Sequence, residues 1–574
     1  SEDGDNEKMF GNKENINILT SLLIAHGVKK AVVCPGSRNA PIVHNLNECM
    51  DCYPVTDERS AGFYALGMSL ADDTPVVVCV TSGTALLNLA PAVAEASYRH
   101  HGLIVISADR PRAWIGQLDG QTLPQHDALG CFVGKCVDLP EPHDDEERWY
   151  CNRLVNEALL SVRSRGQMSV HINVPISEPL FEFGTKFLPL ERKISFVKNG
   201  FDAVAFEQHV SDGLLAARRP MIVVGQINSP SCEFEKLLTQ ISERIAVLSE
   251  PLSVGFGCAF DLVLSCVPNI SDYQPDFLLY IGETLVSKRL KRFLRQSRCH
   301  ECWAVSEDGS VHDTFMNLSG VVECTPMDAI SVIAKQVVDE QACGNRKTDA
   351  CDFAGAWNGL FGKIDECLNT YEPVYSQFAV VKLFEQSLRK FDYKWHVHYA
   401  NSNAVRLACM CASHYIWCNR GVNGIEGSLS VAAGFSLATA DIVFCVIGDL
   451  SFFYDQNALW NTNLDGNLRI ILLNNSCGGI FYSLKGLHDS PAFEQFVAGA
   501  HATDAKGICI QNNVGYFAAN DMDSLRSGIN WIMTSKAERP MLLEVFTDAK
   551  QDNEAIKELT YKIQQQWHKE NGKR

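Results

Sequence analysis

Two strand-like runs in the last third of the chain end in residues suited to a divalent cation. DIVFCVI runs into Gly448-Asp449-Leu450-Ser451, and the following run, LRIILL, enters Asn474-Asn475. With the two strand ends side by side, the Asp449 carboxylate, the Asn475 carboxamide and a nearby backbone carbonyl, that of Cys477, converge as hard oxygen ligands of the kind Mg2+ (or Mn2+) takes. Three protein oxygens do not fill an octahedron. Mg2+ commonly keeps water and shares its shell with ligand phosphates, so two phosphate oxygens and a water would complete it. Taken alone, the same residues are equally a strand-end turn followed by a helix cap.

A carboxylate and a set of cations stand elsewhere. Glu58 opens TDERSAGFYALGMSL, whose later part reads as a helix packed by small and apolar residues, so partial burial is expected. The alternative is a solvated pair with Arg59 or Arg38. Arg38, Arg110, Arg289, Arg406 and Arg420, joined by Lys288, fall in turn segments. Guanidinium forks grip carboxylates bidentately, so the group argues for anionic substrates, although each arginine singly is as well explained by a surface salt bridge.

Parallel sheets covered by helices would position these turns. Short β-branched runs alternate with helical patterns throughout, an α/β signature, and ligands bind at the turns that follow such strands. KKAVVCPG, TPVVVCVTSG, GLIVISADRP and MSVHINVP form a first series. RRPMIVVGQI and PDFLLYIGE form a second; HVHYANS, DIVFCVIGDLS, LRIILLNNS and RPMLLEVF form a third. Polar, strand-poor stretches at Lys186–Gly200 and Asp339–Asp352 separate them, giving three domains at 1–185, 200–340 and 352–574.

Composition narrows the partners. The 574 residues carry 50 basic and 68 acidic side chains, a net charge of −18, which disfavours nucleic acid and anionic membrane surfaces. No apolar run approaches the ~20 residues a bilayer span needs, and SEDGDNEKMF is polar, so a cytoplasmic protein is expected. The 22 cysteines are sparse and many lie in apolar runs, which reads as reduced, buried thiols. Cys49/Cys52 and Cys299/Cys302 lack the spacing of a zinc module, and Gly255-Phe256-Gly257 leads to Phe260 where a dinucleotide fingerprint needs a small residue. His100-His101 reads as an exposed connection.

In combination, the motifs resemble the thiamine-diphosphate-dependent enzymes, and among them the 2-succinyl-5-enolpyruvyl-6-hydroxy-3-cyclohexene-1-carboxylate synthase family of menaquinone biosynthesis. The matching stretches are CPGSRNAP, TDERSAGF, TSGTA, EASY, SADRP, GQTLPQ, VSKRL, ANSNAVR, NRGVNGIEG and GDLSFFYDQNAL, in that order along the chain. The resemblance implies three Rossmann-like domains with parallel sheets, the thiamine-diphosphate-enzyme fold. It also implies a homodimer or homotetramer in which the pyrimidine-binding domain of one subunit faces the diphosphate-binding domain of another. The implied substrates are 2-oxoglutarate and isochorismate.

It further implies that Glu58 bonds the aminopyrimidine, that Gly448, Asp449, Leu450, Ser451 and Asn475 surround the diphosphate, and that Ile425, Ile480 and Phe481 line the reactive rings. Ser37, Gln121 and Ser402 would orient substrate oxygens beside Arg38, Arg110, Lys288, Arg289, Arg406 and Arg420. NNSCGGIF departs from the family, which more often has a third Asn and an earlier Gly. A backbone ligand tolerates the change, but a positive φ at Cys477 would be strained. Two rival readings remain: another thiamine-diphosphate enzyme, decarboxylating or acetolactate-synthase-like, that uses a smaller 2-oxo acid, and a catalytically silent binding protein on the same fold.

Overall fold

Among the described residues of the computed structural model (7–163, 166–256, 259–344 and 348–571), the β-branched runs gather into three sheets of parallel strands. The first holds β1 (Lys30–Val33), β2 (Asp51–Pro54), β3 (Val76–Val80), β4 (Ile104–Asp109), β5 (Val133–Asp138) and β6 (Ser169–Pro175), in the order β2-β1-β3-β4-β6-β5. The second holds β7 (Pro220–Val224), β8 (Ala246–Ser249), β9 (Phe277–Ile281), β10 (Glu301–Ser306) and β11 (Gly320–Glu323), ordered β11-β10-β9-β7-β8. The third holds β12 (Trp395–Tyr399), β13 (Ile442–Gly448), β14 (Leu468–Asn474), β15 (Gly515–Ala519) and β16 (Met541–Phe546), ordered β12-β13-β14-β16-β15. The inner strands β3, β4, β13 and β14 are buried nearly throughout, as strands covered on both faces must be.

The first sheet reverses direction between β1 and β3, where doubly wound sheets open a crevice at their carboxyl ends. Gly36 lies in that crevice, where a Cβ would stand 2.4 Å from Thr81 Cβ; only glycine lets the two turns meet. After β2 the chain enters the helix Glu58–Asp72, capped by the Asp57 side chain, which accepts from Arg59 N–H at 3.0 Å. Small residues surround this helix, and everything from Ser60 to Leu70 is buried. It crosses the helix Ser428–Leu437 of the third sheet's layer backbone to backbone, with an added Cβ on Gly67 lying 2.0 Å from Val431 O and one on Gly434 lying 2.2 Å from Tyr64 O.

In the third sheet Gly448 pairs with Leu473, so the turns after β13 and β14 leave one edge as neighbours. The His100-His101 connection corrects the expectation of exposure. His101 is buried with Nε2 2.8 Å from Ser69 Oγ, and half-buried His100 places Nδ1 2.8 Å from Gly166 O, because the connection is pressed against the helix Glu58–Asp72 and the end of the first sheet. All cysteines among the described residues are free thiols, Cys79 and Cys445 buried and Cys131, Cys232 and Cys343 exposed. Gly257 of the incomplete fingerprint lies outside the described residues, as do parts of the Asp339–Asp352 stretch. No described helix is long and apolar enough to cross a membrane.

Candidate active site

The turns after β13 and β14 bring Asp449 and Asn475 together, both buried. Burial pushes the Asp449 carboxyl above its ordinary range, against the opposing hydrogen bond from His501. Thr503 N–H donates to His501 Nδ1 at 3.0 Å, so the ring proton sits on Nε2 and is donated to Asp449 Oδ2 at 2.6 Å. This hydrogen bond orients the carboxylate. Asn475 is held in turn by Asp552, whose carboxyl burial raises to about 6 and which accepts from Gln377 N–H at 2.9 Å and Thr547 O–H at 2.7 Å.

The positive φ in this loop falls on Ser476, at 63°, and not on Cys477, so the feared strain at the cysteine does not arise. The buried Cys477 has its carbonyl accepting from Gly479 N–H at 3.0 Å, which leaves that oxygen one further lone pair. Ser451 Oγ donates to Ile425 O at 2.5 Å, anchoring the loop that carries the exposed Ile425 side chain. A Cβ on Gly448 would meet nothing within 4 Å, so the turn faces open space.

Next to these turns, a cavity of about 470 Å³ is lined by Lys288, Arg289, Arg406 and Ile480, with Glu250 and Asp552 among its walls. Arg289 pairs with Asp261 at 2.5 Å. Arg406 and the buried Arg420 are different: the Nε of each is buried without a partner among the described residues. Burial, and after it Arg420, holds the Arg406 guanidinium below its ordinary pKa. Arg420 is bound to neutral oxygens, Asn401 Oδ1 at 3.1 Å and Leu285 O at 3.5 Å. Glu250, pushed up to about 7 by burial against N–H donors from Val286 and Ser287, offsets part of this positive charge. Ser402, between β12 and the helix Asn403–Cys411, holds φ at 69°, a conformation that costs a non-glycine residue energy and is common at ligand sites.

At the first sheet's crevice a second pocket of about 200 Å³ joins Glu58 to Thr81–Ala85 and Gln121. Glu58 is half-buried, with Asn88 Nδ2 at 3.5 Å from its carboxylate. Neither expected cation neutralises it: Arg59 donates to Tyr454 O at 2.8 Å, and Arg38 reaches Ile176 O at 3.0 Å and Glu178 at 3.2 Å. Arg110 bonds Gly120 O at 3.1 Å and Asp119 at 3.0 Å, fixing the loop that presents Gln121, whose φ is 55°. Ser37 is exposed on the turn after β1.

The sequence-derived residues therefore fall into two groups. Ser37, Arg38, Glu58, Arg110 and Gln121 share the first sheet's edge. Lys288, Arg289, Ser402, Arg406, Arg420, Ile425, Gly448–Ser451, Asn475, Cys477, Ile480 and Phe481 share the edges of the other two sheets. The two cavities have no lining residue in common. Sequence reasoning missed His501, Asp552 and Glu250. The donor chemistry fits a hard divalent cation and a diphosphate: buried oxygen ligands without a cationic side chain of their own, beside guanidinium N–H groups that lack acceptors.

Comparison with known proteins agrees with this geometry. The model described as "Thiamine pyrophosphate enzyme, N-terminal TPP binding domain" matches residues 16–129. The 2-succinyl-5-enolpyruvyl-6-hydroxy-3-cyclohexene-1-carboxylate synthase of Phocaeicola vulgatus is 41% identical over 568 residues, covering 96% of this chain and 98% of its own. The protein of the same name from Bacteroides fragilis is 41% identical over 573 residues, covering 97% and 100%. That of Porphyromonas gingivalis is 35% identical over 495 residues, covering 83% and 85%.

Proposed function

Since the chain belongs to the 2-succinyl-5-enolpyruvyl-6-hydroxy-3-cyclohexene-1-carboxylate synthase family of thiamine-diphosphate enzymes, we propose that it removes carbon dioxide from 2-oxoglutarate and adds the four-carbon remainder to isochorismate in menaquinone biosynthesis. When bound, the cofactor supplies the electron sink for both bond changes. In this reading the side chains of Asp449 and Asn475 and the Cys477 carbonyl hold Mg2+ or Mn2+, with Gly448, Leu450 and Ser451 against the diphosphate. Ile425, Ile480 and Phe481 wall the rings, and Glu58 exchanges a hydrogen bond and a proton with the aminopyrimidine. Lys288, Arg289, Ser402, Arg406 and Arg420 hold carboxylates from one side; Ser37, Arg38, Arg110 and Gln121 hold them from the other.

The observation that carries this reading is a pair of guanidinium groups, half-buried Arg406 and buried Arg420, whose buried Nε atoms lack acceptors among the described residues, beside the oxygen-donor turns. Such donors are costly unless an anion arrives. The separate cavities of the two groups support a homodimer or homotetramer in which a second copy brings its Glu58 to the aminopyrimidine of a cofactor held by the cation turns. The same division supports a pyrimidine-binding domain at 1–185, a central domain at 200–340 and a diphosphate-binding domain at 352–574. Free thiols among the described cysteines support a reducing, cytoplasmic setting. Mass spectrometry of the products from purified protein, Mg2+, thiamine diphosphate, 2-oxoglutarate and isochorismate tests the proposal. The expected product is the succinylated cyclohexene carboxylate; turnover of pyruvate with isochorismate left untouched would overturn it.

A further inference from the structure

At the outer edge of the first sheet, away from the cation turns, β5, the loop before it and the neighbouring β6 gather a thiol, two imidazoles and two carboxylates. Cys136 Sγ lies 3.4 Å from His171 Nδ1 and 3.7 Å from His126 Nδ1. His126 Nε2 is 3.3 Å from Asp127 Oδ2, and its Nδ1 is 2.8 Å from Asp138 Oδ2. Donor atoms of His126, Asp127 and Cys136 all lie within 4.8 Å of one another.

The hydrogen bonds behind the cluster determine which nitrogen His171 offers. Asn173 Nδ2 donates to Asp109 at 2.9 Å and to Asp138 at 2.8 Å, so its Oδ1 is the acceptor for Gln125 at 2.8 Å and for the Ser107 hydroxyl at 2.7 Å. Ser107 has then spent its one proton, and its oxygen must accept from His171 Nε2–H at 2.7 Å. The remaining nitrogen, Nδ1, points a lone pair at the Cys136 sulfur. His171 is fully buried, and burial lowers its pKa to about 4, so the imidazole is neutral. That lone pair orients the Cys136 side chain, with His171 behind the cluster rather than in it.

The spacing also fits. Zinc bond lengths of about 2.3 Å to sulfur and about 2.0 Å to nitrogen set a tetrahedral S···N edge of roughly 3.5 Å, close to the 3.7 Å between Cys136 Sγ and His126 Nδ1. We infer that Cys136, His126 and Asp127, whose donor atoms gather within 4.8 Å, form a site for a borderline-soft divalent cation of the Zn2+ kind. Loading forms a metal–sulfur bond and releases the thiol proton to solvent; no oxidant or reductant is involved. Burial, and after it the nearby aspartates, pushes the Cys136 thiol up to about 11, and a cation among the same carboxylates reverses that effect. Three protein ligands leave the fourth position of a tetrahedral ion to water. His126 directly follows Gln125, whose Oε1 accepts Gly83 N–H at 2.8 Å, so an ion here stiffens the loop that presents Gln121.

The test uses the full chain with saturating Mg2+ and thiamine diphosphate, which keep zinc from the Asp449–Asn475 turns. After equilibration with Zn2+ and passage over a chelating resin, the metal is counted by mass spectrometry. One zinc per chain is expected, lost in Cys136→Ser, His126→Ala and Asp127→Asn, with thermal melting verifying that each variant is folded. Replacement by Co2+ should give a thiolate-to-metal absorption band that Cys136→Ser abolishes. Failure to retain zinc, or zinc retention that survives Cys136→Ser, would overturn the inference.

Discussion

Replacing Arg406 by Met separates what this side chain does for the fold from what it does for a substrate. Its Nε is buried without an acceptor, and Arg420 adds repulsion to the desolvation it already bears. Exchanging a buried charge for an apolar chain of similar length is typically neutral or stabilising by about 1–4 kcal/mol. In a chain of this size the melting temperature should therefore hold or rise by roughly one or two degrees per kcal/mol. A substrate carboxylate, by contrast, loses charge-assisted hydrogen bonds of about 1.5–3 kcal/mol, which predicts a fall in kcat/KM of about 10- to 150-fold. Arg406→Lys keeps the charge but not the fork and should lie between. The assay pairs thermal melting with initial rates at varied 2-oxoglutarate and isochorismate. A variant that melts several degrees lower yet keeps kcat/KM within twofold would show that the guanidinium is a structural element, and the argument from its unpaired nitrogen would fail.

Glu58→Gln should slow carbon dioxide release by about 10²- to 10⁴-fold, the usual worth of a positioned acid or base, while cofactor affinity changes little; unaltered turnover would refute the assignment. Asp449→Ala should raise the Mg2+ concentration for half-maximal activity by at least tenfold, and His501→Ala by roughly 10-fold or more through loss of the bond that orients Asp449; an unmoved Mg2+ titration contradicts both. Asp455, fully buried beneath Ser430, has its carboxyl raised by burial from 3.8 to about 7. Its folded form binds the proton more tightly than its unfolded form, so its contribution to stability is present below about pH 4 and is lost as pH rises towards 7. Asp455→Asn removes that loss, worth at most about 4 kcal/mol at ~1.4 kcal/mol per pKa unit, so the melting difference between variant and wild type should grow from pH 4 to 8; a constant difference would refute it.

Legibility in the sequence followed burial. Strands β1, β3, β4, β6, β7, β9, β12, β13, β14 and β16 are apolar runs, mostly because helices cover both faces, and such runs end visibly at the turns that bind ligands. Strands β2, β5, β11 and β15 lie at sheet edges with half-exposed side chains and carry no such pattern. The same logic divides the site. Asp449 and Asn475 are legible because each directly follows a buried strand. His501 comes from an irregular loop and Asp552 from the start of the last helix, and only the β14–β16 pairing brings that helix to Asn475. Glu250 directly follows β8 of the second sheet, beside Arg420 from the third sheet's layer, and no local spacing announces that meeting. Nor does residue type reveal that the left-handed position in NNSCGG is Ser476.

The crossing at Gly67 and Gly434 has a mechanical meaning. Where helices normally meet through side chains, rotamers yield and absorb displacement; here main chain rests on main chain, with nothing between to give way. The seam works as a strut. Asp455, which accepts from Ser430 N–H and its hydroxyl and donates its own N–H to Ser451 O, ties the far side of that seam to the turn carrying Asp449.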